Sequence, residues 1–297
     1  MNITTLTAPE WFVEACEDAP RAGEVVVEGC RVRYLSWTPE VVARAPVLLL
    51  HGSTAHAHWW SHLAPLLARD RQVVAMDISG HGDSDHRAAY SLDLWADELV
   101  AVAAEIDPHD RGLFVVGHSL GGHIATAAAV RGGHRLSGLV VCETVTERRQ
   151  RDPGERPAST RKRSYPSVDD ALGRFRLTPA QSGSLPFIVD RVARQSLRKH
   201  ADGWTWKFDP GFMTGSPRAH GALLELVAQV PCPLACVHAQ HGLVSRDAAN
   251  RLAAASPRPV AVVELPLAGH HPMLDQPLAL VAAIIGILAV WEATQDS

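Results

Sequence analysis

Residues Leu113-Phe114-Val115-Val116-Gly117-His118-Ser119-Leu120-Gly121-Gly122 read LFVVGHSLGG, and the small-residue stretch Ile124 to Val130 follows. The apolar run has the character of a buried strand, and the alanine-rich stretch that of a closely packed helix. A GxSxG pentapeptide joins them. A serine on such a sharp strand-to-helix turn sits in a sparsely allowed backbone conformation with its hydroxyl lifted clear of the sheet, and the glycines on either side remove the bulk that would collide. Ser119 is therefore the first candidate nucleophile.

Outward from this turn, the apolar periodicity switches repeatedly between strand and helix. Glu24 to Trp37 reads as a hairpin around Glu28-Gly29; Val47 to Leu50, Val73 to Met76 and Leu139 to Cys142 read as buried strands. A helix is expected over Leu92 to Ile106, with Ser91 as its N-cap. Pro233 to Val237 and Val260 to Leu265 read as strands around a helix from Arg246 to Ala255, and a last helix begins after Pro277. Strands alternating with helices predict a mostly parallel sheet covered on both faces.

Between Thr146 and Val230 the alternation stops. Arg148, Arg149, Arg151, Arg156, Arg161, Lys162 and Arg163 form a basic stretch that reads as a solvated linker. Ser167 with Asp170 resembles a capping box, Thr178-Pro179-Ala180-Gln181 reads as a second helix start, and Ile188, Val189, Val192 and Leu197 form one apolar stripe. Residues 147–230 are thus expected to form an inserted, mainly helical cap on a core built from residues 1–146 and 231–297.

Composition narrows the function. The 297 residues are 46% hydrophobic, enough for a large core, and the net charge is -4. No basic stretch is interleaved with aromatics, which argues against nucleic acid as a partner. The five scattered cysteines fit reduced thiols. No charged-then-apolar leader opens the chain, and the longest apolar run, Leu278 to Trp291, has 14 residues, short for a bilayer span. A soluble, cytoplasmic protein without a membrane partner is the expectation.

Four ordered motifs carry a resemblance: HGS at His51 to Ser53, DISGHGDS at Asp77 to Ser84, GHSLGG at Gly117 to Gly122 and AGHHPMLDQP at Ala268 to Pro277. Together they resemble the α/β-hydrolase superfamily. The resemblance implies an α/β fold of about eight strands with catalytic loops at the C-terminal sheet edge and a cap inserted after the sixth strand. His270, the first histidine of Gly269-His270-His271-Pro272, matches the family's base, with His271 beside it as a pocket wall. The expected oxyanion donors are the backbone N–H groups of Leu120 and Ser53, with Thr54 assisting.

The acid departs from the commonest family pattern. Many relatives place an aspartate after the strand corresponding to Leu234 to Val237, but that loop reads Ala239-Gln240-His241-Gly242-Leu243-Val244 and holds no carboxylate. In haloalkane dehalogenases and some lactonases the acid stands instead at the end of the preceding strand. Glu143 lies there, 24 residues after Ser119. Asp247 is its rival, though a first-turn acid also stabilises a helix N-terminus after Ser245.

A serine nucleophile implies an acyl-enzyme formed from a carboxylic ester or lactone, macrolactones of the zearalenone type among them, with no cofactor. Carbon–carbon bond hydrolases, perhydrolases, lyases and acyltransferases use the same constellation, and noncatalytic ligand-binding receptors share the fold. Trp204, Trp206 and Phe208 alternate as one strand face would; with Phe212, Met213, His118 and His271 they are candidates to line the substrate pocket or to dock cap on core. Residues 147–230 carry 15 Lys and Arg against 9 Asp and Glu, an excess that suits an acidic substrate and a solvated face equally. His56, His58 and His62, and His81 to His86, resemble metal-binding patterns only superficially, and no metal is expected there.

Overall fold

A computed structural model describes residues 7–146, 163–212 and 223–295. Its eight-stranded sheet comprises β1 (Arg21–Val27), β2 (Cys30–Trp37), β3 (Val47–Leu50), β4 (Val73–Met76), β5 (Leu113–His118), β6 (Leu136–Cys142), β9 (Leu234–His241) and β10 (Val260–Gly269). The strand order is β1-β2-β4-β3-β5-β6-β9-β10. The pairings of β1 with β2 and of β2 with β4 are antiparallel; all others are parallel.

Burial explains this order. Every residue of β3, β4 and β5 is buried, as central strands covered on both faces require, whereas β1 exposes alternate residues as an edge does. Along β3, Val47 and Leu49 join one apolar cluster and Leu48 and Leu50 the other, so successive side chains feed opposite layers. Helices Leu92–Ile106 and Leu120–Arg131 cover one face. The helix Pro277–Gln295 covers the other. Ser91 caps the first of these, its Oγ accepting from the Leu94 N–H at 3.1 Å.

The C-terminal helix corrects the reading of its length. It runs 19 residues, and Pro277–Thr294 is long and apolar enough, by length and composition, to cross a bilayer. Here Leu280, Ile284, Leu288 and Trp291 are buried against the sheet, while Leu278, Ile285 and Val290 are exposed. All five cysteines are free thiols. The N-terminal helix Glu10–Glu17 and the short elements at Ala57–Trp59 and Ala64–Leu67 were not signalled by the periodicity.

The described residues of the segment between β6 and β9 add a short hairpin to the expected helices. They hold helices Val168–Leu172 and Pro186–Gln195, then an antiparallel hairpin of β7 (Leu197–His200) and β8 (Gly203–Trp206). Ser167 forms the expected cap on Asp170. The expected helix start at Thr178 to Gln181 is absent: the helix begins at Pro186, and the Gln181 side chain is engaged by the core instead. Leu197 leaves the helical stripe and opens β7, while Ile188 and Val192 enter the core cluster. A further helix, Leu223–Val227, packs against the helix Leu120–Arg131, so residues expected in the cap join the core cluster. Most of the basic stretch, Arg148 to Lys162, lies outside the described residues, as does Met213.

Candidate active site

Five loops at the C-terminal ends of the parallel strands converge. Ser119 follows β5 with φ 53° and ψ -115°, a strained conformation held by its N–H bond to the Cys142 carbonyl at 2.9 Å. The expected role of the glycines is borne out in distances. A Cβ on Gly117 would lie 2.4 Å from the Gly121 carbonyl oxygen, and one on Gly121 would lie 2.7 Å from that of His51.

Glu143 follows β6 and is fully buried. Its Oε1 accepts from the Ala239 N–H at 2.8 Å, and its Oε2 accepts from the Leu243 N–H at 2.8 Å and from His270 Nδ1 at 3.0 Å. Three donors satisfy a carboxylate that burial would otherwise penalise heavily. The loop that lacks an acid thus supplies two backbone donors to one arriving from the neighbouring strand. Gly242 makes room for it: a Cβ there would lie 2.3 Å from Oε2. Asp247, by contrast, is exposed in the first turn of the helix Arg246–Ala255. The structure does not bring it to His270.

Because a carboxylate can only accept, His270 donates through Nδ1, and Nε2 keeps the lone pair. The His270 backbone is also held, its carbonyl accepting from His118 Nε2 at 2.7 Å. His118 and His270 have ring centroids 5.0 Å apart. Ser119 Oγ makes no side-chain hydrogen bond among the described residues. Ser119 lies against the His51 loop, where a Cβ on Gly52 would be 3.1 Å from the Ser119 Cβ.

The backbone N–H groups of Ser53 and Leu120 have no protein acceptor among the described residues, which leaves both able to receive one. His51 shapes this loop. Its Nδ1–H donates to the Gly52 carbonyl at 2.7 Å and its Nε2 accepts from the Ile78 N–H at 3.3 Å, while burial lowers its pKa to about 4 and keeps it neutral. Asp77 ties the adjoining loop by accepting from the N–H groups of Ala57 and Asp83, and burial raises its pKa to about 6.

A cavity of about 240 Å³ opens beside this cluster, bounded by Ser53, Thr54 and His271 on the core and by Phe175, Trp206 and Phe208 opposite. Arg174, Arg176 and Lys207 also line it. Trp204 is a correction, for it does not line this cavity: its backbone is paired in both directions with Tyr165 at 2.8 Å, and the wall begins two residues later. Phe212 packs instead on His81, with centroids 4.5 Å apart, docking its segment to the core. His56 donates to Ser196 Oγ and His62 to the Met273 carbonyl, so two of the three clustered histidines are engaged structurally.

Gln181 was missed by the sequence reading. Its Oε1 accepts from the His271 N–H at 2.8 Å, and its Nε2 donates to the Asp275 carboxylate at 3.2 Å and to the His271 carbonyl at 3.3 Å. Asp275 in turn accepts from the Gly269 N–H at 2.6 Å. The loop carrying His270 is therefore clamped from both sides. A contact across 90 residues leaves no local signal.

Comparison with known proteins agrees with this architecture. The sequence model of the alpha/beta hydrolase family matches residues 47–284. The esterase Rv0045c of Mycobacterium tuberculosis is 28% identical over 95% of this chain and 97% of its own length. A 2-hydroxymuconate semialdehyde hydrolase of Pseudomonas sp. (strain CF600) is 36% identical over 43% of this chain, and the match spans 46% of that relative. Among solved structures, a thioesterase domain from the curacin biosynthetic pathway superposes with a TM-score of 0.73 at 22% identity, covering 90% of this chain and 99% of that one, a likeness of fold. With its sheet, its serine turn and the family match over residues 47–284, the chain belongs to the alpha/beta hydrolase family and is a hydrolase.

Proposed function

We propose that this protein cleaves a carboxylic ester through an acyl-enzyme on Ser119, with His270 as the base and Glu143 as the acid partner. The observation that carries this reading is the buried Glu143 carboxylate on His270 Nδ1, which fixes the tautomer whose Nε2 can take a proton. As the Ser119 hydroxyl attacks the carbonyl, its proton passes to Nε2, and Glu143 stabilises the resulting imidazolium. The negative charge on the carbonyl oxygen is received by the Ser53 and Leu120 N–H groups, each such donor typically being worth about a hundred- to a thousandfold in turnover. His270 then protonates the departing alcohol. Water, activated by the same imidazole, releases the acid and restores Ser119.

Residues 163–212 act as a cap in this reading, and the cavity beneath Trp206 and Phe208 receives the substrate. Thr54 and His271 stand at its core-facing wall, and His118 supports His270 from below. The near full-length similarity to an esterase favours a simple ester, with lactones, including macrolactones, as the wider class. The partial similarity to a 2-hydroxymuconate semialdehyde hydrolase gives carbon–carbon bond cleavage as the second reading. A panel of activated esters, lactones and vinylogous diketones, assayed with wild type and Ser119→Ala, tests both. Ester turnover lost in Ser119→Ala supports the proposal; turnover of diketones alone replaces it with the second reading, and equal activity of both proteins rejects it.

A further inference from the structure

The turn after β4, from Ile78 to Asp85, is the seat of the hairpin that carries the cavity wall. Trp206 and Phe208 border the cavity, and Lys207 stands between them. Lys207 Nζ donates to Asp83 Oδ2 at 2.8 Å; Arg198 Nη2 donates to the Gly82 carbonyl at 2.6 Å and to Asp83 Oδ1 at 3.4 Å. Arg198 belongs to β7, and Lys207 directly follows β8. One carboxylate on the core therefore grips both strands of the hairpin.

An exposed ion pair contributes little, because water and salt already satisfy each charge. This pair is different on its cationic side. The Lys207 side chain keeps only 11% of its surface in solvent, and Asp83 Oδ2 is the one acceptor of its ammonium among the described residues. Lys207 lines the cavity while its charged end is fixed on the core, as a long side chain laid along apolar surface does. Burial opposes ionisation of Asp83, but the Lys207 ammonium prevails and holds the carboxyl below its ordinary range. Without that carboxylate the ammonium must turn out toward water, and the backbone between Trp206 and Phe208 moves with it.

The neighbouring contacts keep the hairpin attached but do not replace this grip. The Asp209 N–H donates to the Gly80 carbonyl at 2.7 Å, and Tyr90 Oη donates to Asp209 Oδ2 at 2.6 Å. At the other end, Ser196 Oγ meets His56 Nε2 at 2.8 Å, and the Ser196 carbonyl accepts from the Lys207 N–H at 2.9 Å. Among these contacts only the Asp83 carboxylate engages both strands.

We propose that Asp83 is a positioning residue for substrate binding. By gripping Lys207 and Arg198 it seats Trp206 and Phe208 as a closed wall over the cavity, and through that wall it sets the preference for bulky apolar acyl groups. The effect on substrate rests on the serine hydrolase reading given above. The seating of the hairpin does not.

Asp83→Asn removes the charge and keeps the shape, and the backbone N–H that Asp83 gives to Asp77 is untouched. Steady-state kinetics on p-nitrophenyl acetate and p-nitrophenyl 4-phenylbutyrate read the wall. The KM for the phenylbutyrate should rise at least about fivefold with kcat nearly unchanged, while the KM for the acetate stays within about twofold. Wild type in about 0.5 M NaCl should show the same selective rise, which Asp83→Asn no longer shows and Asp83→Glu retains. Asp85→Asn is the control, since that carboxylate pairs with Arg31 on β2. Hydrogen exchange gives a readout without turnover: amides of residues 197–208 should exchange at least about threefold faster in Asp83→Asn, and those of residues 113–131 at the wild-type rate. Should Asp83→Asn melt early, hydrogen exchange of the unsubstituted chain at rising salt replaces it, with the same selective loosening expected. An unchanged phenylbutyrate KM, an equal rise for both esters, the same effect in Asp85→Asn, or exchange that quickens in residues 113–131 as well would overturn the proposal. A hairpin that loosens selectively in a protein that hydrolyses no ester would leave the seating standing and refute the serine hydrolase reading instead.

Discussion

Replacing Glu143 by glutamine removes one negative charge and keeps the shape, and the donors around it determine the outcome. Three N–H groups point at its two oxygens. A carboxamide offers one oxygen and one NH₂ group, so a donor must face a donor. With the NH₂ toward Ala239, that backbone N–H is orphaned; with the NH₂ toward Leu243 and His270, the imidazole is driven to the tautomer whose Nε2 carries the proton and cannot accept another. Losing a buried partner of this kind costs about 1–3 kcal/mol. For a chain of 297 residues that lowers Tm by about 2–5 °C. Loss of the charge and of the correct tautomer lowers turnover by about 10⁴, or about 5 kcal/mol of barrier. Because no cavity-lining residue changes, the loss falls on kcat rather than KM. Steady-state kinetics on an activated ester, beside a thermal melt, reads both quantities. Asp247→Asn, altered on an exposed helix turn, is expected to stay near wild type. A Glu143→Gln enzyme within threefold of wild type, or an Asp247→Asn enzyme that loses activity, would refute the reasoning.

Gly242→Ala places a Cβ 2.3 Å from Glu143 Oε2; overpacking of that kind costs about 1–3 kcal/mol, and kcat is expected to drop at least tenfold in the same assay. Gln181→Ala frees the His271 N–H and one side of Asp275. It should lower kcat by about tenfold, about 1.4 kcal/mol, and an unchanged kcat would remove the clamp from the account. Acid should destabilise the fold below pH 6.5. Burial lowers the pKa of His51 and His62 to about 4, so the unfolded chain binds more protons than the folded one; their contribution is complete above 6.5 and declines as pH falls toward 4. At pH 5.5 the two together lose about 3 kcal/mol, while Asp77, raised to about 6 and therefore favouring the fold at lower pH, returns about 1 kcal/mol relative to pH 7.5. Burial lowers His56, His58, His81, His118 and His271 in the same direction, so urea melts at pH 7.5 and 5.5 should differ by at least about 2 kcal/mol, and equal stabilities would contradict the assignment of neutral buried histidines.

The parallel core was legible because buried strands such as Val47–Leu50 and the Ser119 turn announce themselves locally. Glu143 was legible through an absence, the loop from Ala239 to Val244 with no acid, together with the chain position of Glu143. Gly242 carried the complementary signal, a residue without a side chain where the carboxylate arrives. The segment over the site was read less well. The Thr178 start and the Leu197 stripe obey helix rules, but contacts of Gln181 with His271 and Asp275 and the pairing of β7 with β8 decide the backbone there. Trp204 shows the limit of strand alternation: two tryptophans two residues apart share a strand, yet only Trp206 borders the cavity. Such preferences are tertiary and leave no periodicity.

The most direct measurement is mass spectrometry of the full chain after reaction with a fluorophosphonate. A serine activated by His270 should yield a single adduct on the peptide containing Ser119, absent from Ser119→Ala and strongly slowed in His270→Ala. An unlabelled wild-type protein that turns over esters, or an adduct on another residue that forms equally in Ser119→Ala, would contradict the account.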